Sequence, residues 1–120
     1  MRDTPLIRHS DDVVPVPCPC GQSVRVLTAT DEVPSGLHVT TLSDAEKHYH
    51  RRTTEVYYVL EGEGEVELDE QRYAVVPGHV VYIPPGTRHR AIGHLRCLIV
   101  CTPPFDPEDE FAAPAPEPPA

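Results

Sequence analysis

A chain of 120 residues has room for one domain, with a stability margin thin enough that a subunit partner or a bound ion would help. Its formal charge of -9 argues against nucleic acid and anionic membranes as general partners, because both recruit a cationic face. No run approaches the roughly 20 apolar residues that cross a bilayer. Met1-Arg2-Asp3-Thr4-Pro5 lacks the apolar core of a secretory signal, so a cytoplasmic location is expected.

In chain order, the first 20 residues are proline-rich and read as an arm. Cys18-Pro19-Cys20 lies at its end. In a cytoplasmic protein a disulfide is not expected. Strand signals then follow one another. Val24–Thr28 and Leu37–Leu42 are β-branched and apolar, and Val56–Leu60 is a strong strand run. Glu63–Leu68 alternates polar and apolar, with Glu63, Glu65 and Glu67 on one solvated face. Tyr73–Val76, Val80–Ile83 and Leu95–Cys101 complete the set. Turns are expected at Glu61-Gly62-Glu63-Gly64, Asp69-Glu70-Gln71, Pro77-Gly78 and Pro84-Pro85-Gly86. No window shows helical spacing, and strands so punctuated point to an all-β sandwich or antiparallel barrel. Cys97 and Cys101 share a strand face and are expected to pack as small apolar residues. A zinc site using all four cysteines is conceivable, but the spacing is not that of a zinc ribbon. From Pro103 onward, seven of the 15 prolines fall in 18 residues, a composition that cannot form a packed core. Proline-rich ends also suit aromatic-lined grooves, though a disordered end is the simpler reading.

Four side chains stand out. His48, His50 and Glu55 lie in one run, and His89 closes a second run that begins at Gly78. Imidazole and carboxylate are ligands that borderline divalent transition metals prefer. In an extended run His48 and His50 point the same way, since a strand alternates faces with period two. Tyr57 shares the parity of Glu55 and would face inward; it is either core filling or a hydrogen-bond donor to substrate. Tyr49, Arg88 and Arg90 would face away. The facing of Arg25, His38 and Arg96 is not determined by pattern. His9, His79 and His94, with His38, are read as surface or satisfied core histidines.

The run His48-x-His50-x4-Glu55-x6-Gly62 resembles the first signature of the cupin superfamily, and Gly78-x5-Pro84-x-Gly86-x2-His89 resembles the second. Leu42 stands where the family pattern has glycine, and Gly93 where it has asparagine. The 15 residues between Gly62 and Gly78 match a short single-domain member. The resemblance implies a small antiparallel β-barrel of two packed sheets, of the jelly-roll type. It also implies one divalent transition metal ion (Fe, Mn, Ni, Co or Zn) held by His48, His50, Glu55 and His89. The domain division becomes an arm over 1–22, a cupin barrel over 23–104 and a Pro/Ala/Glu-rich flexible tail over 105–120.

Cupins include oxygenases, metal-dependent isomerases and plain binding proteins, so the fold does not choose among them. The function expected is a metal-dependent enzyme on a small organic substrate, a dioxygenase or an isomerase. Glu55 and Tyr57 are its candidate catalytic residues, Glu55 acting as base when not a ligand. The alternative is a non-catalytic binding or sensor barrel for a sugar-like molecule. No nucleophile–base pair for acyl transfer and no glycine-rich phosphate loop is visible. A homodimer is expected, because edge strands of small barrels pair across two-fold axes.

Overall fold

Long strands bent through both layers of the barrel organise this chain, whose computed structural model describes residues 1–113. β1 (Val16–Cys18) and β2 (Gly21–Leu27) form a hairpin, and β3 (Gly36–Ser43) pairs with β2. β4 (His48–Tyr49) is a short bridge. β5 (Thr54–Leu68) carries β6 (Gln71–Val75) and β7 (Val80–Ile83) along one side. β8 (His89–Thr102) pairs with β3, β4 and β5, and β9 (Phe111–Ala112) closes on β4. All of these pairings are antiparallel.

β5 and β8 stay paired from Thr54↔Thr102 to Leu68↔His89, so the two expected layers are one continuous curled sheet. The bend lies between Val59 and Glu61, where the register shifts by a bulge. Gly62 sits beside it at φ 90°, and a Cβ there would overlap the His94 carbonyl. The segment Glu61–Gly64 was expected to be a turn. It remains inside β5 instead, because the bulge and glycine let the strand bend without ending. The other turns fall as read. Asp69-Glu70 joins Leu68 to its partner Gln71, Pro77-Gly78 links β6 to β7, and Pro84–Gly86 links β7 to β8.

Inward residues alternate along the strands. His38, Thr40 and Leu42 of β3 are buried, as are Leu95, Cys97, Ile99 and Cys101 of β8. Cys97 and Cys101 are free thiols packed in this core. One residue of the solvated face departs from the reading: Glu67 is only 8% exposed. Its register partners are Arg72 and Arg90, and Lys47 reaches it at 2.9 Å, so three cations enclose the carboxylate.

The ends are better anchored than composition indicates. Arg8 binds Asp31 at 2.9 Å and the Val26 carbonyl at 2.7 Å, pinning the arm to β2. A disulfide joins Cys18 and Cys20, against expectation. The tight β1–β2 turn sets their Cα atoms 5.1 Å apart, inside bridging range. That local geometry is invisible to an argument from compartment. With this pair joined and the other two thiols in the core, no four-cysteine site forms among the described residues.

The tail expected to be flexible from 105 is docked as far as Ala113. Asp109, 3% exposed, accepts backbone N–H groups from Arg51, Arg52 and Thr53. The Ala113 N–H donates to the Lys47 carbonyl at 3.0 Å, extending the β4–β9 pairing. Residues 114–120, where the low-complexity reading is strongest, lie outside the described residues. No helix among the described residues is long and apolar enough to cross a membrane.

Candidate metal centre

His48 and His89 are register partners on β4 and β8, so pairing alone sets their rings 4.4 Å apart. His50 lies two residues beyond His48, on the same face. Glu55 is the second residue of β5, paired between Ile83 and Cys101. The four offer ligand atoms that all lie within 4.8 Å of one another, and every one of these residues is buried.

The ring orientations carry chemical information. Nδ1 of His48 lies 2.9 Å from the Glu46 carbonyl, Nδ1 of His50 2.9 Å from the Asp109 carbonyl, and Nδ1 of His89 2.8 Å from the Thr87 carbonyl. A carbonyl only accepts, so each Nδ1 carries its proton and donates. In the neutral ring Nε2 then presents a lone pair, and all three Nε2 atoms face the centre. Glu55 Oε1 stands 2.9 Å from His50 Nε2 and 3.0 Å from His89 Nε2. These distances resemble ion pairs, yet the three atoms make no aligned hydrogen bond and are buried without a partner. A protonated ring would carry a second proton on Nε2 and pair with Glu55; in the neutral rings that the carbonyls orient, that proton is absent. Lone pairs this close, with no proton between them, call for a cation at their common point.

Titration directions agree with part of this. Burial, aided by the neighbouring His89, pushes His48 down to about 4, so it is neutral near pH 7. Burial opposes charging of His50, but Glu55 outweighs it and raises the ring above its ordinary value. Burial likewise opposes ionisation of Glu55, and His50 and His89 outweigh it, holding the carboxyl far below the usual carboxylate range. Cys101 Sγ lies 3.8 Å from Glu55 Oε2 and faces the carboxylate from the other side. Its thiol is pushed up by burial and stays protonated.

The space at the cluster is about 30 Å³, the size of a water or an ion. Tyr57 lines it, 4% exposed, with its ring 6.3 Å from that of His89. Burial raises its phenol well above the ordinary value, so the proton stays on. Arg25, His38, Thr40, Phe105 and Glu110 also line this space. A second cavity of about 230 Å³ adjoins it and shares Arg25, His38 and Phe105. His38 is a buried pocket wall, and burial lowers it to about 4. Glu110 Oε1 lies 3.8 Å from His48 Nε2, and burial raises its carboxyl.

Pattern reading missed Arg25, Phe105 and Glu110. Arg25 precedes a bulge in β2 that no periodicity marks, and the other two sit in a segment whose composition reads as tail. Residues expected to face away do so. Tyr49 stacks on Phe111 at 5.3 Å, Arg88 lies over Tyr49, and Arg90 turns to Glu67. Arg96 is exposed near Glu61, and His9, His79 and His94 are surface residues.

The chain spans about half the length of a curated relative that it matches, an uncharacterized protein of Methanocaldococcus jannaschii. The two are 41% identical over 66 residues, covering 52% of this chain and 53% of that one. A crystal structure of a protein from Planctomyces limnophilus is 32% identical with a TM-score of 0.84, covering 91% of this chain and 97% of its own. Ectoine synthase from P. lautus superposes with a TM-score of 0.73 at 24% identity, over 94% of this chain and 93% of its own. Pac13 of Streptomyces, described as a unique nucleoside dehydratase, reaches 0.80 at 16% identity, over 92% of each chain. At such identities the last two show the fold alone. The cupin-domain profile matches residues 38–101, a span holding both histidine runs and most of the barrel, and the chain belongs to the cupin family.

Proposed function

We propose that this chain is a divalent-metal-dependent enzyme acting on a small organic substrate, with His48, His50, Glu55 and His89 as the ligands of one transition metal ion. The observation that carries this is the convergence of three Nε2 lone pairs and a carboxylate oxygen, each imidazole oriented by a backbone carbonyl. Three imidazoles and one carboxylate suit Fe, Mn, Ni, Co or Zn. When bound, such an ion supplies Lewis acidity toward a substrate oxygen or, as iron, one-electron chemistry with dioxygen.

Of the two reactions expected, isomerase-type proton transfer has the more support from this cavity. Tyr57 holds a proton on its phenol and can donate a hydrogen bond to a substrate oxygen. Glu110 brings a carboxyl to the rim that is not a member of the cluster and whose raised pKa suits proton exchange. Glu55 is the poorer base, since its two oxygens already face His50, His89 and Cys101. A dioxygenase would need neither proton carrier, and it stands as the second reading. A sugar-like binding or sensor role would use Tyr57 as a hydrogen-bond donor but leave the Glu110 carboxyl without a task.

Metal analysis of protein purified without chelator, beside His50→Ala, tests the first half of the proposal. Near-stoichiometric metal in the native chain and a loss of tenfold or more in the variant are expected. Equal content in both would overturn it. Incubation of metal-loaded protein in D2O with hydroxyketones and diketones, followed by NMR, tests the second. Deuterium should enter beside the carbonyl, and Tyr57→Phe should slow it by about 10²-fold. Oxygen uptake without deuterium entry selects the dioxygenase, and binding without either selects the sensor.

A further inference from the structure

An arginine inside a β-barrel is costly unless something takes its charge. Arg25 is half-buried on the inward side of β2, with its Nε out of solvent. It pairs in register with His38, on the inward face that also holds Ser23 and Thr40. A β-bulge follows between Arg25 and Leu27, the kind of irregularity that re-aims a side chain. The guanidinium lies over the Phe105 ring at 4.6 Å, so one flat face is covered while its edge stays free. Nε is buried and has no hydrogen-bond partner. Among the described residues, no carboxylate comes within ion-pair distance of Arg25, although Arg2, Arg8, Arg52, Arg72, Arg90 and Arg96 all find oxygen partners.

Its position matters as much as its lack of a partner. Arg25 lines both the space at the His/Glu cluster and the adjoining cavity of about 230 Å³. The guanidinium therefore stands on the wall that the two spaces share. Among the described residues that line the two spaces, Arg25 is the sole permanent cation. A planar fork with one charge matches a planar monoanion in two-point contact. A phosphate dianion would ask for a second cation, and the walls provide Thr28, Thr30 and a neutral His38 instead.

We propose that Arg25 is the specificity residue of this site, binding the carboxylate of a small organic acid whose oxygen-bearing carbon faces the His/Glu cluster. The assignment rests on the metal-enzyme reading for what happens at the cluster, but not for the carboxylate contact itself.

The test uses the full chain in two forms, metal-loaded and chelator-treated, titrated calorimetrically with small 2-hydroxy and 2-oxo acids. Their methyl esters and the matching phosphate esters serve as comparison probes. At least one acid should bind, and its ester should bind about 10- to 100-fold more weakly. Arg25→Met should lose the acid by the same factor with unchanged metal content, and Arg25→Lys should recover part of it. Lysine keeps the charge and most of the aliphatic length, so it also covers the case in which methionine unfolds the barrel. Acid and ester binding alike, an acid affinity unmoved in Arg25→Met, or no acid bound at millimolar concentration would each overturn the proposal. Tighter phosphate-ester binding would overturn the carboxylate assignment. A native chain that takes no metal yet binds acids through Arg25 would sink the enzyme reading and leave this one standing.

Discussion

Asp109 positions the His/Glu cluster from far along the chain. Its carboxylate collects the N–H groups of Arg51, Arg52 and Thr53, and its own carbonyl accepts the Nδ1 proton of His50. Burial alone would raise its carboxyl, but those three donors outweigh burial and hold it below the usual range. It therefore shapes the loop between His50 and Glu55 and sets the tautomer of one ligand. Asp109→Ala removes the acceptor of three backbone donors, the buried Thr53 N–H among them, and should cost about 1–3 kcal/mol in urea unfolding. Metal affinity should fall about 10- to 100-fold by titration, since ligand orientation is lost with it. Stability reduced with metal affinity unchanged would show that the loop holds His50 without this residue. No pattern in the sequence marks Asp109: it lies among prolines and acids, and its partners are backbone atoms. The four ligand candidates were legible for the opposite reason. Their chemistry is carried by side-chain type at fixed spacing, which survives without knowledge of the fold.

At the scale of elements, the strands were legible where apolar residues alternate, as in β7, which runs over Val80–Ile83 as read. They were misread where backbone conformation decides. Gly62 reads as a turn in the sequence because glycine permits both a turn and a bulge. Glu67 reads as surface because alternation tells which face a residue is on, not what crosses that face. It ties Lys47, ahead of β4, to Arg72 on β6 and Arg90 on β8. Lys47, with help from the two arginines, lowers its carboxyl from 4.5 to about 2. A depressed carboxylate stabilises the fold fully above its unfolded pKa and loses that contribution as pH falls through the folded one. Glu67→Gln should thus cost about 1–2 kcal/mol at neutral pH. The gap from the native chain should close between about pH 4.5 and pH 2 in unfolding midpoints. A gap independent of pH would mean that Glu67 acts by packing and not by charge.

At the scale of the molecule, one face is left apolar. Val80 and Tyr82 of β7 are 61% and 63% exposed, and Tyr58, Tyr73 and Val76 lie around them. Among the described residues, β6 and β7 each pair with β5 alone, so each has an open edge. The homodimer expected from the sequence is proposed for this face, because an unpaired edge beside a flat apolar patch is self-complementary. Sedimentation should give a dimer for the native chain and a monomer for Tyr82→Asp, with metal content unchanged. A dimer that survives the aspartate would place the contact elsewhere. The His/Glu cluster lies in the barrel, and none of its four residues belongs to this face. Its central claim is that three Nε2 atoms and a Glu55 oxygen share one ion. X-ray anomalous diffraction from crystals of untreated protein tests it most directly. The account predicts an absorption edge of a first-row transition metal and a single anomalous peak about 2.0–2.2 Å from His48, His50, Glu55 and His89. Fully occupied crystals with the four side chains turned apart, or with the peak bound by other residues, would contradict it.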